Sequence, residues 1–237
     1  MSRLSLLLPL AVGGCASQSA RDPGEWNNVE NQSGARVEIV DDSSQPAPAD
    51  SANTEVTCVA ASATVIETTV EGDTLYIRAE DELAAAGCVV TVPADMVHEL
   101  YVSGSGSVES TATFPHLEVV EVTGTGNVDL GVALNPTLDV RVRGSGNVTL
   151  RWIEAEEANF DLSGQGSVTA AGTVETGTLS VSGTGAFYGA ELEFETLYVD
   201  ITGTGDAYIN VTGHAVVSRH GSGLVVVAGS GEVEFTD

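Results

Sequence analysis

The chain is 237 residues long, and 34 acidic residues against 8 basic ones give it a formal net charge of −26. All eight basic residues are arginine; the basic patches that phosphate contacts need are missing, which excludes nucleic acid as a partner. The same acidity disfavours anionic lipid headgroups and leaves three physical reasons for itself: a saline habitat, divalent cations, or a repulsive soluble surface.

At the N-terminus Arg3 is the only charge ahead of an apolar run at 4–12. That run is far shorter than a bilayer-spanning helix. It exits through Gly13 and Gly14 to Cys15. A charged start, a short apolar core and small residues at the exit predict a secretory signal over 1–14. Val12-Gly13-Gly14-Cys15 also resembles the bacterial lipobox, which implies that Cys15 becomes the lipidated first residue, and Ala16 after it resembles lipoproteins sent to the outer membrane. Several acyl chains anchor stably where one would be marginal.

Residues 15–35 are polar, carry Pro23 and Gly24, and read as a flexible tether. A second polar stretch at 41–53, with Pro46 and Pro48, reads as a surface loop. Strand-like runs at 36–40, 55–60, 64–69, 74–79 and 88–92 read as the less regular opening coils (36–98) of a domain that runs from 36 to 237. Setting Cys15 aside leaves Cys58 and Cys88, both in strand-like runs. In an oxidising compartment two such cysteines predict one disulfide, stabilising by on the order of 3–4 kcal/mol for a loop of this length.

From 99 onward the chain repeats. Seven Gly-(Ser/Thr/Gln)-Gly tripeptides recur with a period near 20. Their glycines are Gly104 and Gly106, Gly124 and Gly126, Gly144 and Gly146, Gly164 and Gly166, Gly183 and Gly185, Gly203 and Gly205, and Gly221 and Gly223. A fixed period of this size marks a chain that stacks one structural unit on the next. Apolar residues stand two and four positions before each corner, as in Leu100 and Val102 or Val140 and Val142, and two positions after it, as in Val108, Val148 and Phe187. Alternation of this kind means strands with one buried face. About 20 residues is too short for a strand–helix–strand crossover, so each unit is one coil of an all-β, parallel β-helix-like solenoid. With coils about 4.8 Å apart, seven make a rod about 35 Å long.

The glycines would supply φ > 0 or a side-chain-free corner where stacked coils crowd, and the hydroxyls between them would hydrogen-bond up the stack. A phosphate-cradling loop is not expected, because no helix N-terminus follows the corners. The regular repeats span 99–228. The rhythm breaks at Gly229-Ser230-Gly231, and 229–237 reads as a hairpin-like C-terminal cap edged by Glu232, Glu234 and Asp237.

Three residues before successive corners stand Tyr101, Glu121, Arg141, Asp161, Ser180, Asp200 and Ser218. This outward track places Arg141 between Glu121 and Asp161, an ion-pair ladder on a solvated face; the sharper reading is a paired-carboxylate glycosidase site. A second track carries Glu109 and Asp129, then Tyr188 and Tyr208. Arg141, Arg143 and Arg151 make the one local basic cluster. His98, His116, His214 and His220 include no pair spaced as metal ligands, no Cys-x-x-Cys occurs, and calcium-repeat and EF-hand patterns are absent. No catalytic residue, metal ligand or cofactor is assigned.

The segment Val92-Pro93-Ala94-Asp95-Met96, followed by the run from Leu100 to Val108, resembles the head GIN domain family of putative auto-transporter adhesins of bacteria. The Val-x-Gly-Thr-Gly-Asn-Val and Val-Arg-Gly-Ser-Gly-Asn-Val strings carry the same resemblance, which covers roughly 36–237. It implies a β-helix-like fold and no catalytic set. The proline-rich insertion at 41–53 and the acidity depart from the family pattern. The expected function is a non-enzymatic envelope lipoprotein, held to the membrane by its lipid and displaying the solenoid to a glycan or surface protein for adhesion or scaffolding. The alternatives are a polysaccharide-processing enzyme on a β-helix and a calcium- or salt-dependent surface binding module.

Overall fold

The computed structural model describes residues 26–41, 66–79 and 85–236, together with the backbone of two strands at 16–20 and 54–58. The signal-like segment 1–14, Cys15 and most of the loop 41–53 lie outside the described residues. The strands, in chain order, are β1 (Ala16–Ala20), β2 (Asn28–Asn31), β3 (Arg36–Val40), β4 (Thr54–Cys58), β5 (Ile66–Glu71), β6 (Thr74–Ala79) and β7 (Cys88–Pro93). Then follow β8 (Glu99–Val102), β9 (Val108–Ser110), β10 (Thr113–Phe114), β11 (Val119–Val122), β12 (Val128–Leu134) and β13 (Thr137–Val142). The last six are β14 (Val148–Leu162), β15 (Val168–Val181), β16 (Phe187–Ile201), β17 (Ala207–Arg219), β18 (Val225–Ala228) and β19 (Glu232–Thr236).

They build a parallel β-solenoid of about seven turns with coils of about 20 residues. Two stacks of strands face each other. One consists of β8, β11, β13, the second halves of β14 to β17, and β19. The other consists of β9, β12, the first halves of β14 to β17, and β18. Each residue pairs with its copy one coil away: Val120 with Leu100 and Val140, Val140 with Phe160, Phe160 with Leu179.

The apolar positions expected to face inward do so. Leu100, Val120, Val140, Phe160, Leu179, Val199 and Val217 form one buried column, and Val102, Val122, Val142, Leu162, Val181 and Ile201 the next. The middle of the rod holds the large rings: Phe160 lies 4.8 Å from Phe187 and edge-on to Phe194. Room for them comes from nearby glycines: a Cβ on Gly177, one coil away, would run into the Phe194 ring, and one on Gly189, on the same strand, into the Phe187 ring. Large and small residues thus interlock as close packing requires.

The corner glycines act by close approach, not by conformation. Positive φ is confined to Gly72, Gly172 and Gly229 among the described glycines. The φ > 0 expectation therefore fails at every repeated corner, from Gly104 and Gly106 through Gly203 and Gly205 to Gly221 and Gly223. The corner backbones instead bond rung to rung: Gly124 N–H donates to Val102 O at 3.1 Å, Gly126 N–H to Gly104 O at 3.2 Å, and Gly205 N–H to Gly183 O at 3.2 Å. A Cβ on the second glycine of a corner, whether Gly126, Gly146, Gly166, Gly185, Gly205 or Gly223, would fall onto the carbonyl of the matching glycine one coil below. The first glycines, Gly124, Gly144, Gly164, Gly183, Gly203 and Gly221, meet the same obstacle. At the first corner a Cβ on Gly104 would strike Ser33 O and one on Gly106 would strike Ala35 O, because the coil below carries no Gly-x-Gly pair.

The opening region departs most from the sequence reading. β2 and β3 form a complete coil that sits between β6–β7 on one side and β8–β9 on the other. Stacking order is therefore not chain order, and the expected tether over 15–35 is overturned for most of its length. Trp26, Val29, Asn31 and Ser33 are buried, and the backbone of β1 pairs with β4.

That coil turns its corner with an amide instead. Asn31 takes the place that Val102 holds one coil above. Its Nδ2 donates to Ala35 O (3.0 Å) and Gly106 O (3.3 Å), while its Oδ1 accepts from Ser33 N–H and Oγ–H. Every polar atom of the buried amide is satisfied, as burial demands. The runs at 55–60 and 64–69, expected as opening coils, are β4 and β5, which run antiparallel against β7 and β6 and close the N-terminal end. Cys88 is disulfide-bonded, and Cys58 lies opposite it in the register of β4 on β7.

The C-terminal end is corrected as well. β18 and β19 do not pair as a hairpin; both lie parallel on β17, Val225 opposite Ala207 and Val233 opposite Ala215. Residues 229–236 are the turn and second strand of one more coil rather than a cap.

Candidate functional site

Because inward positions fill the core along the rod, the side chains its faces offer for recognition lie on outward columns, and the register fixes each. The first column runs Tyr76, Glu30, Tyr101, Glu121, Arg141, Asp161, Ser180, Asp200, Ser218. Arg141 indeed stands between Glu121 and Asp161 in register, yet its guanidinium turns to Asp139 (2.8 Å) and Glu121 (3.8 Å). Arg143 binds the other Glu121 oxygen at 3.0 Å. Tyr101 donates to Glu99 at 2.8 Å. Burial, then the bond to Glu99 and the surrounding carboxylates, push its phenol up to about 12.

The second column runs Glu38, Glu109, Asp129, Thr149, Thr169, Tyr188, Tyr208, Val226. It is acidic at one end and aromatic at the other. Arg36 binds Glu109 at 3.0 Å, and Arg151 binds Asp129 with two bonds of 2.8 Å. That fork holds the Arg151 pKa above its ordinary value. Tyr188 and Tyr208 stack at 5.4 Å with planes 14° apart. Trp152 and Tyr198 are each about half exposed; the sequence reading passed over both because neither repeats from coil to coil.

A third row lies just past the corners. Asn127 Oδ1 accepts from Asn147 N–H and Nδ2–H, Asn147 Oδ1 from Ser167 N–H, and Ser167 Oγ from Ala186 N–H. A stack-bridging side-chain ladder thus runs two residues past the middle position of the tripeptides. The Gly-Asn-Val strings carried this signal in the sequence.

The histidines do not converge with other reactive groups. His98 and His116 stack at 5.1 Å on successive coils, while His220 sits 3.3 Å from Ser218 Oγ. At the far corner an open groove of about 730 Å³ is lined by Leu134, Pro136 and five carboxylates, Glu154, Glu156, Glu175, Glu193 and Glu195. Among the described residues no group of three or more His, Cys, Asp or Glu is arranged to hold a metal ion. No described helix is long and apolar enough to cross a membrane.

A rod of stacked coils with outward ladders around an apolar core defines the molecule as a repeat protein whose surface consists of long rows. The chain belongs to the head GIN domain family of putative auto-transporter adhesins, whose pattern matches residues 48–231. A comparison with curated proteins finds no match. Among solved structures, the fold is similar to a putative lipid binding protein from Parabacteroides distasonis ATCC 8503 (18% identity, 95% of this chain and 98% of that one, TM-score 0.66). It is similar also to putative adhesins from Parabacteroides merdae ATCC 43184 (15%, 95% and 97%, 0.62) and Bacteroides fragilis NCTC 9343 (15%, 94% and 97%, 0.61). Identities this low establish the shared fold alone.

Proposed function

We propose that this protein is a non-enzymatic lipoprotein of the bacterial cell envelope, anchored through Cys15 and presenting its solenoid outward for adhesion or scaffolding. The observation that carries the reading is the way the polar side chains of the outer columns are used. Arg141 and Arg143 share Glu121, Arg151 clasps Asp129, and Asn127 and Asn147 bond along the stack. They pair with each other along the rod instead of converging on one point where a reacting atom could sit. Long rows of this kind suit contact with an extended ligand, a glycan or another surface protein.

Family membership supports the reading, as do the adhesin names carried by two structural neighbours. The signal-like start and the Val12-Gly13-Gly14-Cys15 motif support the anchor. The half-exposed tyrosines and Trp152 offer apolar faces that sugars and aromatic-rich partners both use.

Labelled palmitate should enter the wild-type protein expressed in a bacterium and be lost from Cys15→Ser, and protease added to intact cells should release the solenoid. Undiminished labelling of Cys15→Ser would end the lipoprotein part of the proposal, and complete protection from protease the outward display.

A further inference from the structure

We propose that the last coil is a strand-addition site for an extended segment of a partner protein in which apolar residues alternate with basic ones. The inference concerns the end of the rod and stands apart from the adhesion reading, which concerns its faces.

The two ends are built differently. At the N-terminal end both stacks are closed by antiparallel strands, β5 on β6 and β4 on β7, with β1 beyond β4. At the other end β18 and β19 run parallel on β17; like β5 and β1 at the first end they pair on one side only. Among the described residues no strand is paired to their outer edge. Unpaired strand edges are templates for further pairing.

The core is open at the same place. Val233 and Phe235 continue the inward columns of Ala215 and Val217, both fully buried. Phe235 is nevertheless 66% exposed, and Val225, Val227 and Val233 are covered only in part. A strand laid along β19 would engage its free backbone groups and put its own inward side chains over Phe235 and Val233. Main-chain bonds then supply affinity and alternate side chains supply selectivity.

Charge decides the occupant. The side chains of β19 that alternate with Val233 and Phe235 are Glu232 and Glu234, and neither β18 nor β19 contains a basic residue. Like charges placed opposite each other across strands destabilise, and opposite charges stabilise. A second copy would bring either its own Glu232 and Glu234 or, from the other end, Glu67 and Glu71 of β5. Both arrangements bring glutamates together, although Glu71 is held 3.5 Å from Arg78 at the N-terminal end, and both join chains of net charge −26. The two glutamates therefore guard the edge against self-pairing and leave it open to a strand carrying Lys or Arg at alternate positions.

The test titrates two labelled synthetic peptides, one alternating valine with lysine and one valine with glutamate, into the wild-type protein and into E232K/E234K at low salt. Amide hydrogen exchange locates the contact. Wild type should bind the lysine peptide and gain protection at residues 232–236. The double variant should bind it roughly tenfold more weakly and take up the glutamate peptide instead. Equal binding of the lysine peptide by both proteins, protection spread over the acidic faces, no binding of either peptide, or concentration-dependent self-association of the wild type through β19 would each overturn the proposal.

Discussion

Gly146→Ala should cost the solenoid roughly 3 kcal/mol or more, well above the usual effect of one added methyl group. The backbone at Gly146 is not left-handed, so alanine meets no conformational barrier there. The cost arises because the new Cβ falls onto the Gly126 carbonyl and crowds Val122 Cγ1 beneath it. Neither can withdraw: the Gly126 amide is tied to Gly104 O and the Gly146 amide to Gly124 O, and Val122 is fully buried. Relief requires prising two coils apart, which weakens every rung near the corner. Gly72→Ala is the informative contrast. Gly72 has φ +71° but open space where a Cβ would go, so its cost should be limited to the left-handed penalty of about 1–2 kcal/mol. Chemical denaturation of the two variants measures both; a harmless Gly146→Ala would mean that the corners tolerate wider spacing than the structure has.

Val142→Ala should cost on the order of 2–3 kcal/mol and its neighbour Arg141→Ala less than about 1 kcal/mol. Val142 is fully buried, and its Cγ1 lies directly under the corner at Gly166. Removing both methyls leaves a void bounded by backbone that cannot collapse into it. Arg141 points outward, its side chain about a third exposed and shared between Asp139 and Glu121. Ion pairs screened by solvent to that degree contribute little. The reverse ranking in a denaturation series would put the strand register out by one residue.

The regular coils were legible because two independent periods coincide in them. Alternation marks the buried face, and the glycines mark where stacked backbones must touch; each fixes the register of the other from Leu100 to Val217. The opening coil was not legible for three physical reasons. Its corner replaces glycine chemistry with an amide cage around Asn31 and Ser33. Its residues look polar enough for a tether, although Asn31 is buried and saturated with hydrogen bonds. Its place between β6–β7 and β8–β9 breaks the link between chain order and stacking order on which a repeat is recognised. At the other end, a short strand following Gly229 reads equally as hairpin or coil. Only the pairing of Glu232 with His214, rather than with β18, separates the two.

The candidate site was legible as tracks but not as contacts. Register follows from spacing, so the neighbours of Arg141, and the pairs Glu109–Asp129 and Tyr188–Tyr208, could be placed. Which carboxylate an arginine chooses depends on its rotamer: Arg141 takes Asp139 on its own strand, and Arg151 reaches Asp129 on the coil below. Trp152 stands at a corner where the coils differ in length, so no repeat pointed to it.

The most direct test of the central claim, that this solenoid presents surfaces rather than performing chemistry, is to pass the purified domain over an array of surface polysaccharides and to assay the same polysaccharides in solution for cleavage. The account predicts retention on a subset of glycans with no release of shortened products or new reducing ends. Hydrolysis or lytic cleavage of any retained glycan, abolished by substitution of a single outward carboxylate such as Glu121 or Asp161, would contradict it.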